Sequence, residues 1–408
     1  MGQFTIEKLN GGFKKTSPED FMKSGLVLGG VAASGLALNT TSDELTSAAD
    51  AELLGIDEAY DASNAVLVYY HIKEFFRLAA LSKTGAAKLR IRLAAQGTTL
   101  TAMCTAANAH VQQMLVDANG ELRRIGVVLN PAVGYTPTLS GGLDGDVLTA
   151  IVQAELLAAA AFTDKRPCEI IIEGREFNGT VMGASNLRSN NAGNVQVAIV
   201  QDPAVAALDA IYAKHAAVGT MLGVKAACLP HEDIGYTAKF NIAGVTEFAS
   251  VAISSGALVS TIAASVPILT GKGYIVAINY PGVAGAFFDG NPTCDAGTSD
   301  FAWAQQTSVL NEAARLLYKA LFPRINSPVL INPNNGQIQA AVAKEIESEG
   351  YQSLDPLAKQ GSISGRDVFV DPNQDIQTTG ILEVQFSLVA VGTARNITAK
   401  IGYVLNLS

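Results

Sequence analysis

Residues 25–38 read GLVLGGVAASGLAL, an uncharged stretch that follows a segment containing several lysines. A secretion signal places its apolar run soon after a short basic start, whereas about two dozen residues precede this one. The run is also interrupted by glycine and serine, and it is too short to span a bilayer. We therefore expect a buried strand from Leu26 to Leu28, followed by a Gly-Gly turn, rather than an export signal.

Composition limits the classes of partner. The chain has 408 residues, which is long enough for about two or three domains and a large buried core. Its formal net charge of −9 argues against a nucleic-acid partner, because phosphate binding needs clustered Lys and Arg. Hydrophobic residues make up 49% and charged residues only 16%. We find no run of about 20 apolar residues and expect no membrane insertion. An apolar chain with few charges is typical of a protein that buries surface in an assembly.

From about residue 85 to 280 the pattern alternates between strands and helices. The segments KLRIRLA (88–94), RIGVVLN (124–130) and CEIIIEG (168–174) are typical of strands, and residues 98–117 and 146–161 are typical of helices. This alternation predicts an α/β sheet domain. In the segment DPAVAALDAIYAKHAAVG (202–219), an N-terminal Asp-Pro and a final glycine predict one helix that stops at Gly219.

The last third combines an amphipathic helix with two alternating strands. Residues 300–322 have apolar residues on one helical face and are followed by Pro323. The segments ILEVQFSLVAV (381–391) and NITAKIGYVLNLS (396–408) alternate as strands do, and the Gly-Thr pair between them suggests a hairpin. The final strand needs a partner edge, either in its own sheet or in that of a neighbour.

A search for catalytic chemistry finds little. The chain lacks GxGxxG and GxSxG motifs, and its nearest approach to a phosphate-binding loop, LTGKGY (269–274), lacks the required glycine and Ser/Thr. The four cysteines are far apart and form no zinc-ligand pattern, so isolated buried thiols are expected. We expect no cofactor, no metal and no catalytic residue. The alternative is an α/β enzyme that uses His231, Glu232 and Asp233, although an HExxH motif would need histidine where Gly235 stands.

Several segments resemble the contractile tail sheath proteins of bacteriophages and related injection machines, over roughly residues 20–80 and 275–408. The middle of the chain contains no motif that adds to this resemblance. The segments that carry it are, in chain order, GLVLGGVAAS, SAADAELLGI, HIKEFFRLA, GVAGAFFDGNPTC, SVLNEAARLLYKALFP, INPNNGQIQAAVAKEIES and GRDVFVDPNQDIQTTGILEVQFSLVAVGTARNITAKIGYVL.

The resemblance implies an α/β (α+β) fold, with a sheath-type core of mixed sheets and flanking helices, an inserted α/β domain and terminal strand arms. The implied divisions are an N-terminal arm (1–20), the N-terminal part of the sheath core (21–85), an inserted α/β region (86–275), the C-terminal part of the core (276–394) and a C-terminal strand arm (395–408).

The resemblance also implies a structural function and no enzymatic one. Sheath subunits form stacked hexameric rings around an inner tube, and contraction of this helical assembly drives the tube through a target envelope. The implied partners are further copies of the chain, the inner tube protein, and baseplate and tail terminator proteins, in a virion tail or phage-tail-like particle made in the bacterial cytoplasm. Neighbouring subunits would exchange strands through the arms, using Phe4, Ile6, Leu9, Ile397, Ile401, Tyr403 and Leu405. Another self-assembling protein, such as a tube, capsid or surface-layer subunit, remains an alternative.

Overall fold

The structure is a computed structural model and describes residues 22–82, 85–178, 181–399 and 401. Its strands, in chain order, are β1 (Lys23–Gly30), β2 (Lys88–Ala95), β3 (Arg124–Val128), β4 (Leu139–Ser140), β5 (Leu143–Asp144), β6 (Glu169–Glu173), β7 (Val195–Ala198), β8 (Val200–Gln201), β9 (Ala252–Ile253), β10 (Tyr274–Ile275), β11 (Ala277–Ile278), β12 (Phe287–Phe288), β13 (Ile363–Phe369) and β14 (Gln385–Ala390).

The α-helices are α1 (Ala48–Leu53), α2 (Glu58–Asn64), α3 (Val68–Ala79), α4 (Leu100–Cys104), α5 (Val111–Asp117), α6 (Gly145–Thr163), α7 (Pro203–Ala206), α8 (Val218–Ala227), α9 (Val266–Gly271), α10 (Ala304–Leu321), α11 (Ala340–Ser353), α12 (Asp355–Lys359) and α13 (Ile376–Thr379). Short 3₁₀ turns lie between several of them, including Ala106–Asn108 between α4 and α5.

The central sheet has six parallel strands in the order β10-β7-β6-β3-β1-β2. The expected strand at Leu26–Leu28 is confirmed, since β1 lies inside the sheet between β3 and β2 with those residues fully buried. The Gly-Gly turn expected after it is wrong, because Gly29 and Gly30 continue β1 and pair with Ala94 and Ala95 of β2. The segment 21–85 therefore contributes a strand to the sheet whose other strands all come from residues 88–275. The strand β1 is apolar because both of its faces are buried, which is usual for strands of parallel sheets.

Helices cover the two faces of this sheet. Neighbouring residues of a strand point to opposite faces. A Cβ at Gly25 would meet Met114 of α5, whereas a Cβ at Gly126, which pairs with Leu26, would meet Val218 of α8. Helices α5 and α8 therefore lie on opposite sides of the sheet. The outer edge of β2 is covered by residues 39–45 through backbone hydrogen bonds of 2.7–2.9 Å.

The single helix predicted over residues 202–219 is wrong. The chain forms the short α7, then a 3₁₀ turn started by Asp209, and α8 begins at Val218. Gly219 lies in the first turn of α8, at the point where α8 crosses α3 very closely. A Cβ on Gly219 would lie 2.3 Å from the His71 carbonyl oxygen. The glycine permits this close approach and does not end a helix.

Helix α6 is long and apolar enough to cross a membrane by length and composition. The expectation that no such segment exists is therefore corrected. Its inward residues belong to the hydrophobic core beneath the sheet, including Val147, Ile151, Ala154 and Leu157. Packing against the sheet accounts for the apolar character of that face, while Val152 and Leu156 point outward and are exposed.

The C-terminal unit is built around α10, α11, α12 and a two-stranded antiparallel sheet, β13-β14. Its pairing runs from Ile363 opposite Ala390 to Phe369 opposite Gln385. The predicted hairpin between residues 381–391 and 396–408 is not formed in the described residues, because the described strand that pairs with β14 is β13. Residues 391–399 and 401 have no secondary structure, and residues 402–408 lie outside the described part of the chain.

Helix α10 joins the C-terminal unit to the α/β region, which contains the six-stranded sheet, through a buried polar face. Glu312 pairs with Arg123, and Ser308 donates to Glu169, which also binds Lys225. The Arg315 guanidinium donates to the Leu122 carbonyl at 2.8 Å and to the carbonyls of residues 120 and 167. Burial lowers the pKa of Arg315 to about 10. Such buried ionic contacts fix orientation more than they add stability.

Candidate subunit interface

The strand β14 has one paired edge and one unpaired edge among the described residues. Its pairing with β13 uses the first edge, and the sheet contains no third strand in the described chain. Phe386 and Leu388 point inward and pack on the cluster formed by α10, α12 and β13. Val389 on the opposite face is 59% exposed. An open edge of this kind offers backbone N–H and C=O groups to an extended segment of another chain.

A groove of about 420 Å³ lies between α10 and this small sheet. Most of its wall is aliphatic or aromatic, and a polar end is formed by loop residues and by the start of α10. The lining residues are His231, Asp300, Phe301, Gln305, Gln306, Val309, Leu310, Ala313, Ala314, Leu317, Ser362, Ile363, Phe386, Leu388, Ala390 and Val391. The groove therefore combines apolar side-chain contacts with a neighbouring strand edge, which suits an extended peptide with apolar side chains.

The tail that follows β14 exposes apolar side chains to solvent. Ile397 is 88% exposed and Ile401 is fully exposed, so neither packs on the rest of the described chain. The other expected interface residues lie outside the described residues: Phe4, Ile6, Leu9, Tyr403 and Leu405. The structure therefore does not bring the expected interface residues together within one subunit, and their shared role stays a prediction.

A contact that the sequence analysis missed holds the beginning of this tail. The Arg395 guanidinium carbon lies 3.6 Å from the ring centre of Trp303, the residue just before α10. A second guanidinium, that of Arg188, lies 5.1 Å from the same ring. No pattern of spacing links residues so distant in the chain. The only sequence signal is that Trp303 is the sole tryptophan.

The side chains of the His231 patch serve three different local contacts. His231 Nδ1 lies 2.9 Å from the buried Ser362 hydroxyl, and Glu232 pairs with Lys239. Asp233 accepts the Gly235 N–H at 2.9 Å. Burial lowers the pKa of His231 and raises the pKa of Asp233. The three side chains do not converge on a common point, and the His231–Ser362 contact ties the α/β region to the C-terminal unit.

All four cysteines lie in the described part of the chain, where each is buried and free. Burial raises the pKa of each thiol. The expectation of isolated buried thiols is confirmed. A buried thiol with a raised pKa is a poor nucleophile, because the thiolate is the reactive form.

The comparisons with known proteins concern the family and the fold. The family model described as "DUF2586, N-terminal domain" matches residues 1–291, and "DUF2586, C-terminal domain" matches residues 300–408. A comparison with curated proteins finds no match.

Solved structures with a similar fold come from contractile injection systems. A chain of the six-fold symmetrised baseplate of the anti-feeding prophage (AFP) aligns with a TM-score of 0.58 at 14% identity, covering 99% of both chains. A chain of the contracted AFP helical sheath gives 0.58 at 16% identity, covering 97% of this chain and 99% of that one. A chain of the contracted PVC sheath complex, from an extracellular contractile injection system, gives 0.56 at 12% identity, covering 99% and 98%. The expected fold class and the resemblance to sheath proteins are thereby confirmed at the level of the fold.

Proposed function

Because the chain belongs to the DUF2586 family and shares its fold with chains of contractile injection systems, we propose that it is a structural subunit of a contractile sheath. The observation that carries this proposal is the open edge of β14 beside an exposed apolar tail. One chain thus has both an acceptor edge and a segment whose side chains lack a place to pack. Two copies together can satisfy both, whereas one copy alone leaves them unsatisfied.

In this proposal the C-terminal arm, residues 395–408, adds a strand to the β14 edge of a neighbouring subunit. Its alternating residues Ile397, Ile401, Tyr403 and Leu405 would meet apolar surface of the type that lines the groove between α10 and β14. Backbone hydrogen bonds would supply the linkage, and the side chains would set the register. Phe4, Ile6 and Leu9 of the N-terminal arm would act in the same way at a second contact.

The assembled state would consist of stacked hexameric rings around an inner tube. Contraction would be a switch between two packings of the same subunits, in which the contracted packing buries more surface. A small gain for each subunit, added over many copies, would drive the change without a nucleotide. The absence of a phosphate-binding loop from the sequence agrees with such a mechanism.

Partners, location and domain division belong to the same proposal. The chain would bind copies of itself, the tube protein, and baseplate and terminator proteins, within a virion tail or phage-tail-like particle assembled from subunits made in the bacterial cytoplasm. Residues 21–85 and 276–394 would form the sheath core and residues 86–275 the inserted α/β region, with β1 of the first segment completing the sheet of the inserted region.

Negative-stain electron microscopy of the purified untagged chain, beside a chain shortened after residue 394, tests the proposal. We expect rods or stacked rings from the full chain and small particles from the shortened chain. Small uniform particles from both would count against spontaneous assembly. Co-assembly with the tube protein would then decide whether a template is needed. Rods from both chains would contradict strand exchange through the C-terminal arm.

A further inference from the structure

The contact between Arg395 and Trp303 lies where the proposed arm begins. Strand β14 ends at Ala390, and Arg395 follows after four exposed residues, 391–394. The chain therefore leaves the small sheet, contacts the folded body again at Trp303, and then continues with bare side chains at Ile397 and Ile401. Arg395 marks the boundary between the part of the tail that touches the body and the part that does not.

The ring of Trp303 is held in place by its own surroundings. It lies at the N-terminus of α10, and the ring edge passes close to Gly290, where an added Cβ would be 3.4 Å away. The nearby Arg188 is buried and donates to the carbonyls of Asp295 and Ala302, both at 3.1 Å. The aromatic surface that Arg395 meets therefore lies beside residues that are themselves held within the folded body.

The charges around the ring have to be balanced, because two guanidinium groups approach it. Arg188 and Arg395 repel each other, while Asp233 attracts Arg395 and Asp295 attracts Arg188. Asp233 is 9% exposed and is held by the Gly235 N–H. An aromatic face with a carboxylate nearby can bind a planar cation such as a guanidinium group.

We infer that the stacking of Arg395 on Trp303 anchors the C-terminal arm and fixes the point from which residues 396 onward reach a second copy of the chain; this inference rests on the proposed strand exchange. An arm held at its base samples fewer positions, so less conformational freedom is lost when it pairs with a neighbour. The contact thus prepares the arm for exchange.

The exposure of the arm distinguishes an anchor from an inhibitory latch. A latch would cover the apolar side chains that the neighbour must bind. Here Ile397 and Ile401 are exposed to solvent, whereas Arg395 of the same tail stacks on the Trp303 ring. An anchor and a latch predict opposite effects on assembly, because losing an anchor raises the concentration needed for assembly and losing a latch lowers it.

The test measures tryptophan fluorescence and assembly in the full chain with Arg395→Ala, Arg395→Lys and, as a matched control in the same tail, Thr393→Ala. The sole tryptophan reports directly on the contact. For Arg395→Ala we expect stronger quenching of the emission by acrylamide and a roughly 3- to 30-fold higher concentration for assembly. Arg395→Lys should lie between, since lysine keeps the charge but not the planar stacking. The control should match the original chain in both readouts.

A chain shortened after Arg395 separates the anchor from the strand exchange. It keeps the contact and loses the arm, so its fluorescence should be unchanged while assembly is lost. If this chain assembles like the full chain, the proposed exchange fails. If it does not assemble, but Arg395→Ala assembles at the original concentration or below it, the exchange stands and the anchor is overturned. Unchanged fluorescence in Arg395→Ala would also overturn the anchor, because the contact would then be absent in solution.

Discussion

The two principal sheets of this chain differ in how far one subunit completes them. Every residue of β3, β6 and β7 in the six-stranded sheet is buried, and residues 39–45 cover its outer β2 edge. The β13-β14 sheet has two strands, and β14 alternates between exposed and half-buried residues. Two-stranded sheets are marginally stable by themselves. The comparison indicates that the first sheet stabilises the subunit, whereas the second depends on its packing against α10 and α12 and agrees with the proposal that another chain completes it.

The largest effect should come from the centre of the first sheet. Ile171 of β6 is fully buried, so Ile171→Ala should lower the free energy of unfolding by about 2–5 kcal/mol, the usual cost of a cavity. Ile381→Ala is the matched control near the second sheet, where the side chain is 60% exposed, and it should cost less than about 0.5 kcal/mol. Urea unfolding followed by circular dichroism measures both. Equal costs would contradict the role of Ile171 in the buried core of the first sheet.

Acid should act on the region of the first sheet. His215 is buried with Nδ1 donating to the Tyr212 carbonyl at 2.7 Å, and burial lowers its pKa to about 4. The unfolded chain takes up this proton near pH 6.5, while the folded chain remains neutral down to about pH 4. The stability that His215 contributes is therefore complete above about pH 6.5 and is lost as the pH falls towards 4.

His215→Asn isolates this contribution, because the amide can still donate to the carbonyl. The stability advantage of the original chain over this variant should shrink by about 3 kcal/mol between pH 7 and pH 4. Burial raises the pKa of Glu173 to about 7, which gives the opposite trend in both chains and cancels in the difference. His110→Asn, at a half-buried site, should show a smaller change. Unfolding curves collected across this pH range would contradict the assignment if the difference stayed constant.

The joint between the two regions should be less sensitive than the core. Arg315→Lys keeps the positive charge but loses the planar guanidinium group that donates hydrogen bonds to three backbone carbonyls of the α/β region. Leaving such buried acceptors unpaired should lower the free energy of unfolding by about 1–3 kcal/mol. The same change at Arg324, which pairs with Glu345 and Glu349 nearer the surface, should cost less than about 1 kcal/mol. Denaturant melts with equal midpoints for the two variants would contradict a role for the polar joint.

The same contrast explains how far the sequence predicts the structure. Local hydrophobic patterns predicted the positions of β1, β3, β6 and α6. A short continuous apolar run is typical of a strand buried on both faces, and a longer apolar run is typical of a core helix. Contacts between distant elements were missed. Gly219 looked like a helix stop because its close approach to His71 depends on tertiary packing.

The candidate site was harder to predict for the same reason. The alternation of β14 was visible, but its pairing with β13 was not, since an alternating pattern shows which residues share a face and does not identify the strand that pairs with it. The stacking of Arg395 on Trp303 has no periodic signature at all. Interface residues in the arms could be proposed only from the resemblance to sheath proteins, because exposed side chains such as Ile397 and Ile401 have no packing partner within the described chain.

The smallest effect on stability, paired with a clear effect on assembly, should come from the outward face of the second sheet. Val389 of β14 is 59% exposed, so Val389→Lys should change the free energy of unfolding by less than about 0.5 kcal/mol. A lysine on an edge strand disfavours the addition of a further strand, so assembly should need a roughly tenfold higher concentration. Val245→Lys makes the same change at a 99% exposed loop position and should alter neither quantity. Sedimentation of the assembled fraction against concentration measures the effect. If the two lysine variants assemble alike, β14 is not the edge that receives the neighbour's arm.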